Sequence, residues 1–328
     1  MRNASVSAII VVYNCERYVR FAVDSVLAQT RPANEVIVVD DGSTDGTRKI
    51  LESYKDKIKY VYQKNAGEPA ARNTGMRHSS SDYVAFLDAD DLWLPEKLQL
   101  QMELAEAHPE YGLIYSDMTT FDENGVIDKS VRASRGRVYV NGWIFPKLFR
   151  ETLFQTSAAV LRKDAAQGLG GFNETFFVGC DYEMWLRMSR HFEFGYVDKP
   201  LVMYRQHAQM STQQLARVPQ AGMPWQAKVL NRTLELYPEI RRELGEGYVN
   251  RRLALPYMWL GRTWMDQGNH IEARRLLSGA MHLSPWNLRY RLAYLATFLS
   301  PSQVGSVRRI FRKFRRHAHD GTRHAHAI

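Results

Sequence analysis

Cysteine is scarce in this 328-residue chain: Cys15 and Cys180 are the two present. They supply neither a zinc-binding spacing nor a disulfide framework, which favours a reducing compartment with the cytoplasm as the expected location. Long apolar runs are also missing. No stretch approaches the ~18 uninterrupted apolar residues of a membrane span. The N-terminal run Val6 to Tyr13 is short for a signal core and no small-residue cleavage site follows it, so it reads as a buried strand. There is no Gly-x-Gly-x-x-Gly after that run and no Walker-type loop, which argues against a dinucleotide oxidoreductase or a P-loop ATPase. Charge excess is absent from most of the chain despite a net +9. Residues 301–328 hold seven basic residues against one acidic, leaving +3 for the first 300, so no nucleic-acid groove is expected.

What is present is a globular composition, 45% hydrophobic and 24% charged, at a length suited to roughly two domains. The β-branched run Val6 to Val12 predicts a strand buried on both faces. Val19, Ala22, Val23, Val26 and Leu27 then form one helical stripe ending before Arg31-Pro32. The alternation continues with strands at Glu35 to Val39, Lys59 to Tyr62 and Tyr83 to Leu87, and helices at Thr44 to Tyr54 and Glu68 to His78. A parallel sheet binds ligands beyond the carboxyl ends of its strands, so Tyr13-Asn14, Asp40-Asp41, Asn65 and Asp88 to Asp91 should share one rim.

Further on, the pattern predicts a helix with Pro95 in its first turn, a strand near Leu113 to Ser116 and a hairpin at Glu123-Asn124-Gly125. Residues 128–142 lack a period and read as a mobile loop. A strand near Ser157 to Leu161, a Gly-rich turn at Gly168 to Gly171 and a helix over Asp181 to Arg190 close the first domain. From about Pro224 to Leu299 the pattern is helical, giving domains of 1–214, 215–300 and a tail of 301–328.

Asp88, Asp90 and Asp91 crowd like charge into four residues, which calls for a cation or hydrogen-bond donors. Hard ions such as Mg²⁺ or Mn²⁺ take oxygen ligands and leave positions for phosphate. The plain alternative for Asp91 is a cap on the Pro95 helix. Asp40 ends a buried strand, where a carboxylate can accept from a nucleobase N–H, while Asp41 next to Gly42-Ser43 suits turn chemistry. Lys64 and Arg72 bring cations to the same edge, fit to meet phosphates.

Ile10-Val11-Val12-Tyr13-Asn14, Val39-Asp40-Asp41-Gly42-Ser43-Thr44-Asp45-Gly46-Thr47, Asn65-x-Gly67-x-x-x-Ala71-Arg72-Asn73-x-Gly75 and Phe86-Leu87-Asp88-Ala89-Asp90-Asp91 together resemble the ordered motifs of family 2 glycosyltransferases. The likeness continues through Gly170-Gly171-Phe172, Gly179 to Arg187 and Tyr204-Arg205-x-His207, covering roughly residues 5–212. It implies an α/β fold of the GT-A type, a Rossmann-like mixed sheet flanked by helices, followed here by a small all-α region. By that resemblance Val12, Tyr13, Glu16, Asp40 and Arg72 hold the nucleoside of a sugar nucleotide, Asp40 facing the base, and Asp88 reaches the ribose. Asp90 and His207 face the metal, and Asp181 is the catalytic base of an inverting, single-addition transfer. Asp181 also stands where it would cap the Tyr182 to Arg190 helix.

The implied partners are a nucleotide-sugar donor, a UDP-sugar favoured, and a saccharide or lipid-linked acceptor in cell-surface polysaccharide or glycolipid synthesis. The chain departs from the pattern at Cys180, where many relatives carry Glu immediately before the base. It also lacks the Gln-x-x-Arg-Trp box of the family's processive synthases. A non-catalytic sugar-nucleotide-binding scaffold is the competing expectation.

In the C-terminal third, Leu260-Gly261, Trp264, Gly268, Ala273, Leu277, Ala280 and Pro285 match one tetratricopeptide unit over 254–287. One unit cannot bury its own faces. Docking of a partner protein, a buttressing bundle and a homodimer contact all stand open for it. Between Val304 and Arg316 apolar residues share one helical arc and six cations the adjoining one, a basic amphipathic pattern expected at the cytoplasmic face of an anionic membrane.

Overall fold

The computed structural model describes residues 4–208 and 223–299. Two units divide the chain, 1–219 and 220–328. The boundary expected at 214/215 and the amphipathic segment 304–316 both lie outside the described residues.

The first unit opens with the alternation that the sequence predicts: β1 (Val6–Val12), α1 (Val19–Leu27), β2 (Glu35–Asp40), α2 (Thr47–Glu52), β3 (Lys59–Tyr62), α3 (Glu68–His78) and β4 (Tyr83–Asp88). There follow β5 (Leu92–Trp93), α4 (Lys97–Ala107), β6 (Tyr111–Asp122), β7 (Gly125–Asp128), α5 (Val131–Ser134), α6 (Phe145–Arg150), β8 (Ala159–Arg162), α7 (Lys163–Gly168), α8 (Cys180–Met188) and β9 (Glu193–Arg205). The strands form one mixed sheet in the order β3-β2-β1-β4-β8-β6-β9-β5, with β7 hanging from β6. β1 to β4 run parallel, whereas β8 is antiparallel to both of its neighbours.

Register decides where the rim lies. Val12 is level with Asp40, Asp40 with Tyr62, and Val11 with Asp88, so the ends of four strands stop within a residue of one another. Strand order reverses at β1, with β2 on one side and β4 on the other, the place where an open α/β sheet leaves a crevice. Behind it the core is aromatic: Phe86, Phe149, Phe154, Phe172, Tyr182, Trp185 and Phe194 are all buried.

Several expectations need correction. Pro95 lies two residues before α4 and not in its first turn, because Leu92-Trp93 pairs with Met203 and Val202 of β9 and holds the chain extended. Residues 128–142 are anchored by Asp117, whose carboxylate accepts from the Ser130 hydroxyl at 2.5 Å and the Arg132 amide at 3.0 Å, and α5 forms there. Neither β5 nor the 13-residue β9 follows from periodicity. Within β9, Asp198 and Lys199 have no counterpart in β6, and the register shifts where Asp117 meets Pro200, which has no N–H to donate.

In the second unit the helices are α9 (Trp225–Leu236), α10 (Ile240–Leu244), α11 (Glu246–Asp266), α12 (His270–Leu283) and α13 (Leu288–Ala296). α10 and α11 meet at Gly245, which takes φ +86°. α11 and α12 pack closely at Gly261, where an added Cβ would lie 2.7 Å from Leu277 Cγ. Trp264, Ala273 and Leu276 form one buried cluster, and Ala254, Ala280 and Tyr290 another. No helix among the described residues is long and apolar enough to cross a membrane.

One core residue is out of character. Lys97 is fully buried, its Nζ has no hydrogen-bond partner, and it rests 4.1 Å from the Trp93 ring centroid. Burial holds the amine well below the usual lysine range, so unfolding takes up a proton and stability rises as pH climbs toward the ordinary lysine value. Lys97→Met, close in volume and without the orphaned donor, should stabilise the fold by about 1–3 kcal/mol at neutral pH and flatten that slope. Urea denaturation at several pH values tests this; a lower midpoint for the variant would contradict it.

Candidate active site

The loops after β1 and β2 are sewn together before any ligand is considered. Asn14, held at φ +47°, accepts the Thr44 amide on Oδ1 at 2.7 Å, and its own amide donates to Ser43 Oγ at 3.0 Å. The Cys15 amide reaches Thr47 Oγ1 at 2.9 Å, and Glu16 Oε2 accepts the Gly46 amide at 2.6 Å. Tyr13 stands 52% exposed on this rim, while Val12 is buried and its carbonyl accepts the Asp41 amide at 2.9 Å.

Asp40 is fully buried, with Oδ1 accepting the Ser43 amide and Oδ2 the Tyr60 hydroxyl, each at 2.8 Å. Both of its oxygens therefore already accept from the protein. Asp41 does turn chemistry: it accepts from the Gln63 side chain at 2.7 Å and from the Ala66 and Gly67 amides at 2.9 and 2.8 Å. That clamp fixes the entry to α3, where Gly67 takes φ +90°. Lys64 is exposed in the same segment.

From α3, Arg72 turns inward and is 2% exposed. Its Nη2 donates to Asp88 Oδ1 at 2.9 Å and to the Glu68 carboxylate, and its Nη1 donates to Cys180 Sγ at 3.1 Å. Asp181 follows Cys180 directly. The structure thus brings Arg72, Asp88 and Asp181 together on a buried cation, rather than leaving Arg72 as an exposed phosphate ligand. Burial raises the Asp181 carboxyl above the ordinary aspartate range, Arg72 pulls it back and Asp88 adds to the rise. The Glu68 side chain keeps 41% of its surface exposed and forms an ion pair with the buried Arg72 guanidinium.

Asp181 is not the helix cap. Gly179, at φ +74°, occupies that position and Asp181 sits in the first turn of α8. Its Oδ1 accepts the Tyr182 amide at 2.7 Å and its Oδ2 the Thr156 hydroxyl at 3.3 Å.

Nor does Asp91 cap α4. It is buried, with Oδ2 accepting the Ser157 hydroxyl at 2.6 Å and Oδ1 the Arg205 amide at 3.0 Å. The Arg205 guanidinium in turn donates from Nε to the Asp90 carbonyl at 2.8 Å and lies 4.7 Å from the Tyr18 ring centroid. The end of β9 is thereby fastened to the loop after β4. His207, two residues on, places Nε2 at 3.0 Å from Asp90 Oδ2. Burial raises the Asp90 carboxyl, Asp88 raises it further and His207 lowers it.

No group of three metal-type side chains occurs among the described residues. The Asp90–His207 pair nonetheless fits a divalent cation as a two-point holder. Its donors are one carboxylate oxygen and one imidazole nitrogen, side by side and partly buried where two further aspartates crowd the same charge, and phosphate oxygens would complete the shell. Glu68, Thr156 and Ser157 are the site residues that sequence reasoning missed, while Arg205 stood only within the Tyr204-Arg205-x-His207 motif, without a role. Only Glu68 carried a local signal, its i,i+4 spacing to Arg72.

The model of the family described as "Glycosyl transferase family 2" matches residues 7–170, half of the chain. The chain belongs to that family. An uncharacterized glycosyltransferase of Rickettsia prowazekii is 32% identical over 212 residues, covering 63% of this chain and 65% of that one. Chondroitin synthase of Escherichia coli is 31% identical over 203 residues, 59% of this chain and 28% of that one. This chain therefore spans less than two thirds of either relative. Among solved structures, S. aureus TarS 1-349 in complex with UDP-GlcNAc superimposes with a TM-score of 0.58 at 17% identity, covering 90% of this chain and 89% of that one. The expected GT-A architecture is thereby shown.

Replacing Asp91 with Ala removes the acceptor of the Ser157 hydroxyl proton and of the Arg205 amide, at a cost of roughly 1–3 kcal/mol. Asp91→Asn keeps an acceptor and should recover part of the loss. Thermal unfolding of the two variants checks this, and an unchanged midpoint for Asp91→Ala would refute the fastening role.

Proposed function

We propose that the protein is an inverting, divalent-metal-dependent glycosyltransferase that moves one sugar from a nucleotide diphosphate to an acceptor hydroxyl. The observation carrying this reading is the Arg72 guanidinium, which joins Asp88 at the end of β4 to the first turn of α8, where Asp181 stands. A nucleotide lying along the β1 and β2 loops, between Tyr13, Glu16, Asp40 and Lys64, would present its diphosphate to Asp90 and His207. Its anomeric carbon would then fall between the Asp90–His207 pair and Asp181. UDP is the favoured nucleotide, supported by the fold shared with TarS, a protein solved with UDP and with UDP-GlcNAc.

In this reading Asp181 takes the proton of the acceptor hydroxyl as the new bond forms at the anomeric carbon. The Thr156 hydroxyl and the Tyr182 amide hold its two oxygens in place. Asp88 receives the ribose, and the Asp91–Arg205 fastening keeps His207 over Asp90. A divalent cation held by Asp90 and His207 would supply Lewis-acid stabilisation of the departing diphosphate. One base opposite the leaving group gives inversion, and two carboxylates flanking a glycosidic bond are not required.

Chondroitin synthase among the relatives supports polysaccharide assembly as the setting, with a saccharide or lipid-linked acceptor. The basic amphipathic pattern of 304–316 supports work at the cytoplasmic face of an anionic membrane. Removing residues 301–328 should abolish sedimentation with anionic liposomes and leave transfer to a soluble acceptor unchanged; equal liposome binding by the shortened chain would refute the membrane assignment.

Calorimetry with UDP, with and without Mn²⁺, and a donor-turnover assay test the catalytic reading. Asp181→Asn should bind UDP within about threefold of the wild type and lose about 10²-fold or more in kcat. Undiminished turnover would sink Asp181 as the base, and UDP binding with no turnover by the wild type on any donor would favour a scaffold. Because Asp181 works ionised and its carboxyl is raised, kcat should fall on acidification at a pH above the ordinary aspartate range. An acid limb within that range would contradict the burial argument.

A further inference from the structure

Arg72 presents a problem of charge that the transfer reaction alone does not explain. Its guanidinium is fixed in its protonated form and is 2% exposed, with the Phe172 ring centroid 5.4 Å away and Nε lacking a hydrogen-bond partner. A cation in that position is costly unless carboxylates balance it. Three side chains receive its hydrogen bonds: Glu68, Asp88 and Cys180. Burial pushes the Cys180 thiol far above its usual range, so it stays neutral and accepts only weakly. Asp88 lies at the cleft, and in the reading above it turns to the ribose of the donor. Glu68 is then the charged partner left to hold Arg72 while substrate is bound.

The local structure equips Glu68 for that task. It is the first residue of α3, one turn before Arg72 and directly after Gly67, whose amide Asp41 clamps at 2.8 Å. The helix therefore starts at a fixed point and the i,i+4 spacing delivers the carboxylate to Nη2. On the opposite side of the guanidinium, Nη1 meets a thiol at 3.1 Å, at the position directly before Asp181.

We infer that Glu68 is a positioning residue for transfer, holding the buried Arg72 between Asp88 and Asp181 from α3 and supplying the counter-charge that Cys180 cannot supply from α8. It touches no reacting atom; it acts by keeping the guanidinium from collapsing onto Asp181 when Asp88 engages donor. This rests on the reading of Asp181 as the base. It adds a prediction about this chain in particular: a carboxylate introduced at 180 should compensate for one removed at 68, because both positions address the same guanidinium.

The test is a double-mutant cycle on the full chain with Glu68→Gln, Cys180→Glu and the pair together, read by kcat and KM with a UDP-sugar and by thermal unfolding. Glu68→Gln should lower kcat about tenfold or more with donor KM within about threefold, and the pair should regain most of that loss. The unfolding midpoint should drop for Glu68→Gln and recover in the pair, a readout available whether or not the preferred donor is in hand. Additive effects in both measurements, or wild-type kcat in Glu68→Gln, would overturn the inference. Asp181→Asn separates the two claims: if it turns over normally the base assignment fails, whereas non-additive coupling of 68 and 180 in the unfolding cycle still stands or falls by itself.

Discussion

A buried guanidinium organises the candidate site. Arg72 enters from α3, bonds Asp88 at the end of the neighbouring β4 and touches Cys180 at the start of α8, so one side chain ties two consecutive elements to a third that is distant in sequence. Because its charge cannot be shed, everything around it must answer that charge. Glu68 and Asp88 do so directly, and Asp181 feels it at a distance: burial raises its carboxyl, Arg72 opposes the rise, and the outcome is a carboxylate more readily protonated than free aspartate. An uncompensated Arg72 would leave the Asp181 carboxylate harder to protonate, and a missing Arg72 would leave Glu68, Asp88 and Asp181 without the cation that opposes their mutual repulsion.

The sheet supplies the frame in which this is useful. Level strand ends put Val12, Asp40 and Asp88 on one rim, and the reversal of strand order beside β1 opens the crevice there. The mixed half of the sheet, in which β6 and β9 run parallel and β8 antiparallel, closes the other side. Asp91 receives both the Ser157 hydroxyl and the Arg205 amide, so the end of β9 is pinned to the loop after β4 and His207 arrives beside Asp90. The adjacent aspartates thus divide their labour: Asp91 is structural and buried, Asp90 faces His207, and Asp88 answers Arg72.

The parallel half of the fold was legible because a both-faces-buried strand and an amphipathic helix each leave a period, and α3 begins and ends at the residues its pattern indicated. The motif loops were legible because strand ends in such a sheet are where polar residues collect. What escaped was whatever depends on distant partners. β9 is partly exposed and carries Asp198-Lys199-Pro200 in its middle, so it shows no clean alternation, and its pairing with β6 shifts register at Pro200. Asp91 and Asp181 both looked like helix caps locally, and each proved to accept from a side chain 66 or 25 residues away. Glu68 showed its i,i+4 relation to Arg72, but nothing local said that the arginine would be buried.

The central claim is that one rim holds a sugar nucleotide with its diphosphate at Asp90 and His207 and its sugar toward Asp181. A crystal structure of the protein with UDP and Mn²⁺ tests this most directly. The nucleoside should lie along the β1 and β2 loops, with the metal coordinated by Asp90 and His207 together with diphosphate oxygens. A nucleotide bound away from that rim, or a metal held without either residue, would contradict it.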